Sequence, residues 1–425
     1  MNEAVAPVVE QPLLAEPFWP ADFATVINSI CGYFTFATFC LTLPLVLPLA
    51  FILPGGRRRW VAIAMRYAMR TVFLVTPTVS WRLDGDIAAL KTARVVVSNH
   101  EGMLDILVAC GLPGLRTMLA KTWVFRAFPL GVAARAAGLC NSDELTPDAY
   151  QSAATITLPD PCIGLFIFPE GSRSRSGKVD RFRPGAFVLA KHLPSSVVPV
   201  AIAGSRQGIR PGSMWIHPTR VHARVLPTMS ILPEENYRQF AARVRESIIN
   251  GRREVMAMLL ASGELDRHRK HRLRVLTPAA RQSALAELHD SSWRVILELP
   301  AATGPWILLG IGWSTVAQVV RLLYPQADIY ACEHDAERRD AAARLWQRAG
   351  DVVVSDLQSL STIPPGATVV CAWTGADVAG VREWLQHTTA HAVVLRLADA
   401  SVIGDDITPL VEDGWGIFAS SSFTS

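Results

Sequence analysis

From Phe23 to Leu53 the chain carries no charged side chain. No other feature narrows the architecture so much, because a helix needs about 20 apolar residues to cross a bilayer core. Phe23–Leu43 alone meets that length. Pro44 and Pro48 then predict either a spanning helix with a bend or a re-entrant hairpin, so residues 23–56 are read as a membrane anchor. Residues 1–22 hold Pro7, Pro12, Pro17 and Pro20 with little pattern and lack the basic start of a signal peptide, so they read as a disordered tail. Acidic Glu3, Glu10, Glu16 and Asp22 precede the apolar run and Arg57, Arg58 and Arg59 follow it, which places the basic side in the cytoplasm. Trp60–Val79 mixes Trp60, Val61, Ile63, Met65, Tyr67 and Phe73 with Arg66 and Arg70. That mixture predicts an amphipathic helix on the bilayer surface with its arginines at the headgroups.

The remaining composition agrees with membrane contact. Half of the 425 residues are hydrophobic, and the mean hydropathy is +0.25. The net charge of +4 becomes +8 once the acidic first 56 residues are set aside, a mild bias toward anionic surfaces or substrates. The basic residues are not interleaved with stacking aromatics, which argues against a nucleic-acid partner. Seven scattered cysteines with no C-x-x-C suggest small core residues in a reducing compartment and no metal site. The length predicts two domains, each with its own core.

From about Val79 strand-like and helix-like segments alternate, the pattern of a layered α/β domain over residues 57–262. The predicted strands are Arg94–Ser98, Thr117–Ala120, Ile163–Phe168, Val197–Ala203 and Thr219–Leu226. Helices are expected after His100, Lys121, Pro147, Arg183 and Pro233. The β-branched run ending at Ser98 leads into Asn99, His100 and, five residues further on, Asp105. A straight helix would rotate those two side chains about 500° apart, off one face. A strand end followed by a turn through Gly102 can instead fold the carboxylate back onto the imidazole. There it would fix the tautomer and stabilise the imidazolium. The bland alternative is a histidine in a helix-capping turn.

A second strand runs into Pro169, Glu170, Gly171, Ser172, Arg173 and Ser174, and Arg181-Phe-Arg-Pro-Gly185 and Val197-Val-Pro-Val-Ala-Ile202 follow. NHxxxxD, FPEGSRS, FRPGA and VVPVAI in this order resemble the glycerolipid (lysophospholipid) acyltransferase superfamily over roughly Arg57 to Pro233. The resemblance implies that His100 is the general base for attack of an acceptor hydroxyl on a thioester and that Asp105 orients it. It also implies that Glu170, Gly171 and Arg173 serve acceptor binding. On chemical grounds Arg173 offers a bidentate fork to a phosphate, and Ser172 lies in the same turn. Lys121, Arg181 and Arg183 are further phosphate candidates, and amides near Gly171 are candidate oxyanion donors. A thiolate leaves easily, so acyl transfer needs no cofactor; acyl-CoA or an acylated carrier protein is the donor, and membrane lipids supply the acceptor. The localisation implied is a bacterial-type inner membrane with the catalytic domain facing the cytoplasm. One block departs from the family: where members that use lysophosphatidic acid have a pattern like G-x-I-F-I-D-R, this chain reads Gly138-Leu-Cys-Asn-Ser-Asp-Glu144 and has no arginine. An acceptor other than a glycerol phosphate is therefore open.

Asp266–Arg274 reads DRHRKHRLR and is expected to be a solvated basic hinge within a linker over 263–291. Residues 292–425 show a second alternation. Strand Trp306–Ile311 contains Gly310, Gly312 follows, Thr315–Tyr324 is helical and Asp328–Cys332 ends beside Glu333. Strand, Gly-x-Gly turn, helix, strand and acid is the order of nucleotide-binding βαβ units. It resembles a class I S-adenosylmethionine-dependent methyltransferase domain, with Gly310, Gly312 and Glu333 as the cofactor-binding candidates. No acid lies in register before the glycines, and Ser314 stands where a third glycine belongs. The expected fold class is thus α/β: a membrane-anchored acyltransferase domain followed by a smaller Rossmann-like domain that binds the cofactor weakly or not at all. Two competing readings are a methyltransferase whose first half presents a lipid, and a non-catalytic lipid-binding scaffold.

Overall fold

The computed structural model describes residues 21–52, 57–128, 130–136, 138–141, 163–183, 187, 196–210, 212–289, 291–298, 304–347, 351–360, 367–371, 384, 390–396 and 415–419. The expected disordered tail falls almost wholly outside them, as do the helix expected after Pro147 and nearly all of the one after Arg183. The chain divides into two compact units that meet in sequence between His268 and Arg269.

The first unit opens with α1 (Phe23–Ile52) and α2 (Arg57–Val75). Both prolines stay within α1, so one 30-residue helix, about 45 Å long, replaces the re-entrant hairpin. Phe23–Thr42 is long and apolar enough to cross a membrane. The start of α1 is nevertheless fastened to the domain. Asn28 donates to Thr78 Oγ1 at 2.7 Å, Ser29 Oγ accepts the Ile216 amide at 3.0 Å, and Tyr33 donates to the Met214 carbonyl. The helix is thus docked at its start and exposes Phe34, Leu41 and Ile52 further along.

Next come β1 (Val79–Gly85), α3 (Ile87–Thr92), β2 (Val95–Ser98), α4 (Leu104–Gly111), β3 (Leu115–Ala120), α5 (Thr122–Arg126), α6 (Leu130–Ala136), β4 (Cys140–Asn141), β5 (Ile163–Ile167), β6 (Val197–Ala203), β7 (Thr219–Val225) and α7 (Tyr237–Ala261). The seven strands form one sheet in the order β1-β7-β6-β2-β5-β3-β4, parallel except for the β6–β7 pair. Continuous apolar runs form β2 and β6 because both faces are covered. Val95, Val97, Leu165 and Ile167 pack with Phe240, Val244 and Ile248 of α7. Val96, Phe166, Val198 and Val200 pack on the other face with Leu104 and Val108 of α4. The start of α7 is fixed by a reciprocal cap, with Asn236 accepting from the Gln239 amide and Gln239 from the Asn236 amide.

The basic stretch, which contains the boundary between the units, is not solvated throughout. It forms α8 (Asp266–Arg272), whose Arg269 is buried with its guanidinium 4.3 Å from the Trp293 ring centroid. Then follow α9 (Pro278–His289), β8 (Trp306–Leu309), α10 (Thr315–Leu323), β9 (Ile329–Cys332), α11 (Ala336–Leu345), β10 (Val352–Val354), β11 (Ala367–Cys371), β12 (Ala390–Arg396) and β13 (Trp415–Ala419). The sheet order is β10-β9-β8-β11-β12-β13, parallel apart from β13. The order reverses between β8 and β11, the place where open α/β sheets form a crevice.

Candidate active site

Three neighbouring parallel strands, β6, β2 and β5, deliver their following loops to one end of the sheet. Those loops carry Asn99 to Asp105, Phe168 to Ser174, and Gly204 to Arg206. Asn99 continues the β2–β6 ladder with its side chain, accepting the Ile202 amide and donating to the Ile202 carbonyl, both at 2.8 Å. The backbone is thereby freed to turn. Gly102 permits the turn, since a Cβ there would lie 2.6 Å from Ser205 Oγ.

His100 Nδ1 lies 3.0 Å from Asp105 Oδ2. The same oxygen accepts the Glu101 and Gly102 amides, at 2.6 and 2.8 Å. Asp105 sits in the first turn of α4, where the helix N-terminus favours a negative charge. It is fully buried, whereas His100 is 9% exposed. The Phe168 ring stacks on the imidazole at 4.1 Å between centroids, so its plane is held from the side as well. This arrangement presents the second ring nitrogen as a base whose first nitrogen is already oriented.

Glu170 takes a different part from a substrate ligand. One carboxylate oxygen accepts the His100 amide at 2.7 Å and the other accepts the Asp180 amide at 2.9 Å. Burial pushes its carboxyl up to about 8, against the lowering effect of those two hydrogen bonds. The Ser174 amide donates to the His100 carbonyl at 2.8 Å, so both backbone groups of the histidine are held by the turn after β5. Gly171 has φ +75°, and a Cβ on it would meet the Arg183 guanidinium at 2.9 Å. Its amide closes the turn onto the Phe168 carbonyl at 3.0 Å and is not offered to an oxyanion. Among the described residues the Ser172 and Arg173 amides donate to no other residue. Ser172 is exposed and Arg173 half-buried in that turn. Arg183 lies over Gly171, so the structure brings it together with the Glu170–Arg173 turn. Lys121 and Arg181 are exposed, Lys121 just after β3. The Pro184–Ala186 part of the FRPGA block lies outside the described residues.

Several contributors have no signature in the sequence. Arg206 sends one nitrogen to the Ser174 carbonyl at 2.7 Å and another to the Arg175 carbonyl at 2.6 Å. Glu101 is buried in an ion pair with Arg252 of α7. Its carboxyl is raised by burial, and Arg252 opposes that shift. The one signal in the sequence is a charged residue directly beside His100.

In the second unit the cofactor candidates have internal partners. Gly310 donates to the Cys332 carbonyl at 2.9 Å. Buried Glu333 accepts the Gly312 amide at 3.0 Å on one oxygen and the Asp335 amide at 3.1 Å on the other. Glu287 of α9 accepts the Trp313 and Thr315 amides at the start of α10, at 2.6 and 3.0 Å. No group of three or more potential metal ligands occurs among the described residues.

Comparison with known proteins bears on the first unit. Residues 84–203 match a family model described as Acyltransferase. That matched stretch contains His100, Asp105, Glu170 and Arg173. The chain is 31% identical over 167 residues to the 1-acyl-sn-glycerol-3-phosphate acyltransferase alpha of Bos taurus, covering 38% of this chain and 58% of that protein. It is 29% identical over 133 residues to the chloroplastic 1-acyl-sn-glycerol-3-phosphate acyltransferase LPAT1 of Arabidopsis thaliana, covering 31% and 37%. The chain thus spans a little over half the length of the first relative and over a third of the second. Among solved structures, the 1-acyl-sn-glycerophosphate acyltransferase of Thermotoga maritima aligns with a TM-score of 0.46 at 19% identity, over 54% of this chain and 96% of that one. Arg206 and Arg252 lie beyond the matched segment.

Proposed function

We propose that the protein is a membrane-bound O-acyltransferase that moves a fatty acyl group from acyl-CoA or an acylated carrier protein to a lysophosphatidic acid-like alcohol. The observation that carries the reading is the His100–Asp105 contact, a base held by a fully buried carboxylate inside the segment that matches the Acyltransferase family model. His100 takes the proton of the acceptor hydroxyl as its oxygen attacks the thioester carbonyl. The tetrahedral intermediate collapses with loss of the thiolate, and the proton passes to that sulfur or to solvent. The Ser172 and Arg173 amides, which donate to no other described residue, serve as oxyanion donors on the same turn, and Arg173 with Arg183 provides charge for an acceptor phosphate. The names of the relatives support the acceptor class, the exposed apolar stretch of α1 supports residence at a membrane, and the Arg57–Arg59 flank supports a domain in the cytoplasm.

A second acceptor class is favoured by one observation: Cys140 and Asn141 pair with β3 where an arginine-bearing block would stand. The deciding experiment incubates the full chain in detergent with labelled acyl-CoA or acyl carrier protein and a panel of lyso-acceptors with and without a glycerol phosphate, products resolved by mass. Transfer to lysophosphatidic acid supports the first reading, transfer confined to phosphate-free alcohols the second. No transfer to any acceptor refutes both. For the second unit we propose a Rossmann-like module without a working S-adenosylmethionine site, supported by the self-satisfied glycine turn.

A further inference from the structure

The last helix of the first unit reaches the catalytic turn at two points. Arg252 of α7 is 3% exposed, and its Nε donates to Glu101 Oε1. Glu101 is the residue after the base, and its own amide donates to Asp105 Oδ2, the oxygen that holds His100. Seven residues earlier, two helical turns and about 10 Å along the same face, Arg245 Nε donates to the carbonyls of Val179 and Asp180, at 3.1 and 2.9 Å. The Asp180 amide in turn holds Glu170, and Glu170 holds the His100 amide. Both paths end on the backbone and side chain of the dyad, one through each flanking residue set. Neither arginine belongs to the matched acyltransferase segment.

We infer that Arg245 and Arg252 are positioning residues: they clamp the His100–Asp105 pair from α7 and so set the geometry on which acyl transfer depends. The inference rests on the acyltransferase reading for its kinetic consequence, but the clamp itself is a statement about His100. A buried pair is costly to halve, because the remaining charge is left without compensation, whereas replacing both members by neutral groups is often tolerated. The choice of variants follows from that. Glu101→Gln with Arg252→Met removes one arm without leaving a buried charge, and Arg245→Met removes the other at a half-exposed position. Arg252→Lys keeps the charge and is the conservative control.

The test uses the full chain, with circular dichroism and thermal melting to establish that each variant is folded. With lysophosphatidic acid and acyl-CoA, the double variant should lose at least about tenfold in kcat while both KM values stay within about twofold, since misplacing a base by a fraction of an ångström affects the transition state and not ground-state binding. Arg245→Met should show the same split with a smaller loss, and Arg252→Lys should retain most of the activity. Histidine-selective 15N spectra give a readout that needs no turnover: the His100 ring resonances, identified by their disappearance in His100→Gln, should move in the double variant. A folded double variant with kcat within twofold of wild type and unmoved His100 resonances overturns the clamp and leaves the acyltransferase reading intact. A wild-type protein inactive on every acceptor overturns that reading instead, and the spectra still decide the clamp. If the double variant does not fold, Arg245→Met decides by the same two readouts.

Discussion

Asp105→Asn separates two things the aspartate does for His100. In the wild type one oxygen, Oδ2, accepts from the imidazole and from the Glu101 and Gly102 amides. Those two amides are fixed donors, so an asparagine in this place must turn its carbonyl oxygen toward them and its NH2 group away. The carbonyl oxygen then still faces His100 Nδ1 and still accepts its proton. The tautomer is therefore preserved, unlike the case in which an amide presents its donor to the base and the loss is near ten-thousandfold. What disappears is the charge that stabilises the imidazolium. A hydrogen bond to a charged group contributes about 1.5–3 kcal/mol against 0.5–1.5 for a neutral one, and the buried setting strengthens the Coulomb part. A loss of about 2–3 kcal/mol corresponds to roughly 30- to 150-fold in kcat. His100→Ala, which removes the base, should cost more, within the 10²–10⁴ typical of general-base removal. Single-turnover transfer from labelled acyl-CoA with the two variants side by side measures both. A loss for Asp105→Asn as large as that for His100→Ala would refute the preserved tautomer, and wild-type turnover would show that the pair is not a dyad.

Arg173→Ala should raise the acceptor KM by roughly 10- to 150-fold, the equivalent of a lost charged hydrogen bond, and leave the donor KM unchanged; a change confined to the donor would move this arginine to the thioester side. Because burial raises the Glu170 carboxyl to about 8, the folded protein holds a proton that the unfolded chain releases near pH 4.5. Stability of the first unit should therefore fall as pH rises from about 4.5 to 8, by up to about 4–5 kcal/mol, and Glu170→Gln should flatten that slope in denaturant titrations followed across this range. Ser314 has φ +73° and is fully buried with no hydrogen-bond partner for its hydroxyl, so Ser314→Gly should stabilise the second unit by about 0.5–1 kcal/mol and raise its melting temperature.

What could be read in advance was what buried strands and local motifs write into consecutive residues. Val95–Ser98 and Val197–Ala203 are valine-rich and almost wholly apolar because both faces of these strands are covered, and the structure ends them where the sequence reading does. The contact between His100 and Asp105 was legible because a single turn makes it. Strand β1 carries a different signal, Val79, Trp81 and Leu83 alternating with Ser80, Arg82 and Asp84, as an edge strand with one apolar face does, and a search for continuous apolar runs passes over it. The part played by Glu170 was hidden for another reason: a carboxylate that holds two backbone amides looks identical, as a letter, to one that meets a ligand. Arg206, Arg245 and Arg252 act across separations of 31 to 151 residues, which no local pattern records. The basic run at Asp266–Arg272 was misread because charge density suggests solvent, while Arg269 is covered by a tryptophan 24 residues further along.

The glycine turn of the second unit explains why a nucleotide-like sequence order need not mean a nucleotide. At such turns glycine lets a ligand approach the backbone, and the helix N-terminus attracts its negative charge. Here a Cβ on Gly312 would stand 2.7 Å from Glu287 Oε2, so the glycine is required by a side chain of the same unit. The first amides of α10 are likewise occupied, at Trp313 and Thr315, by that carboxylate. Glu333 is turned onto the Gly312 amide where a ribose-binding acid would be open to a ligand. A ligand would therefore have to displace a charged hydrogen-bonding group from two amides, at a cost of about 2–5 kcal/mol, before making its first contact. That is enough to weaken a micromolar site by a factor of roughly 30 to several thousand. Calorimetric titration of the full chain with S-adenosylmethionine should accordingly show no saturable binding below about 30 μM. Glu287→Ala should lower the melting temperature of this unit, because it strands the two amides. A dissociation constant in the low micromolar range for the wild type would mean that Glu287 yields its place readily, and would make the turn a cofactor site after all.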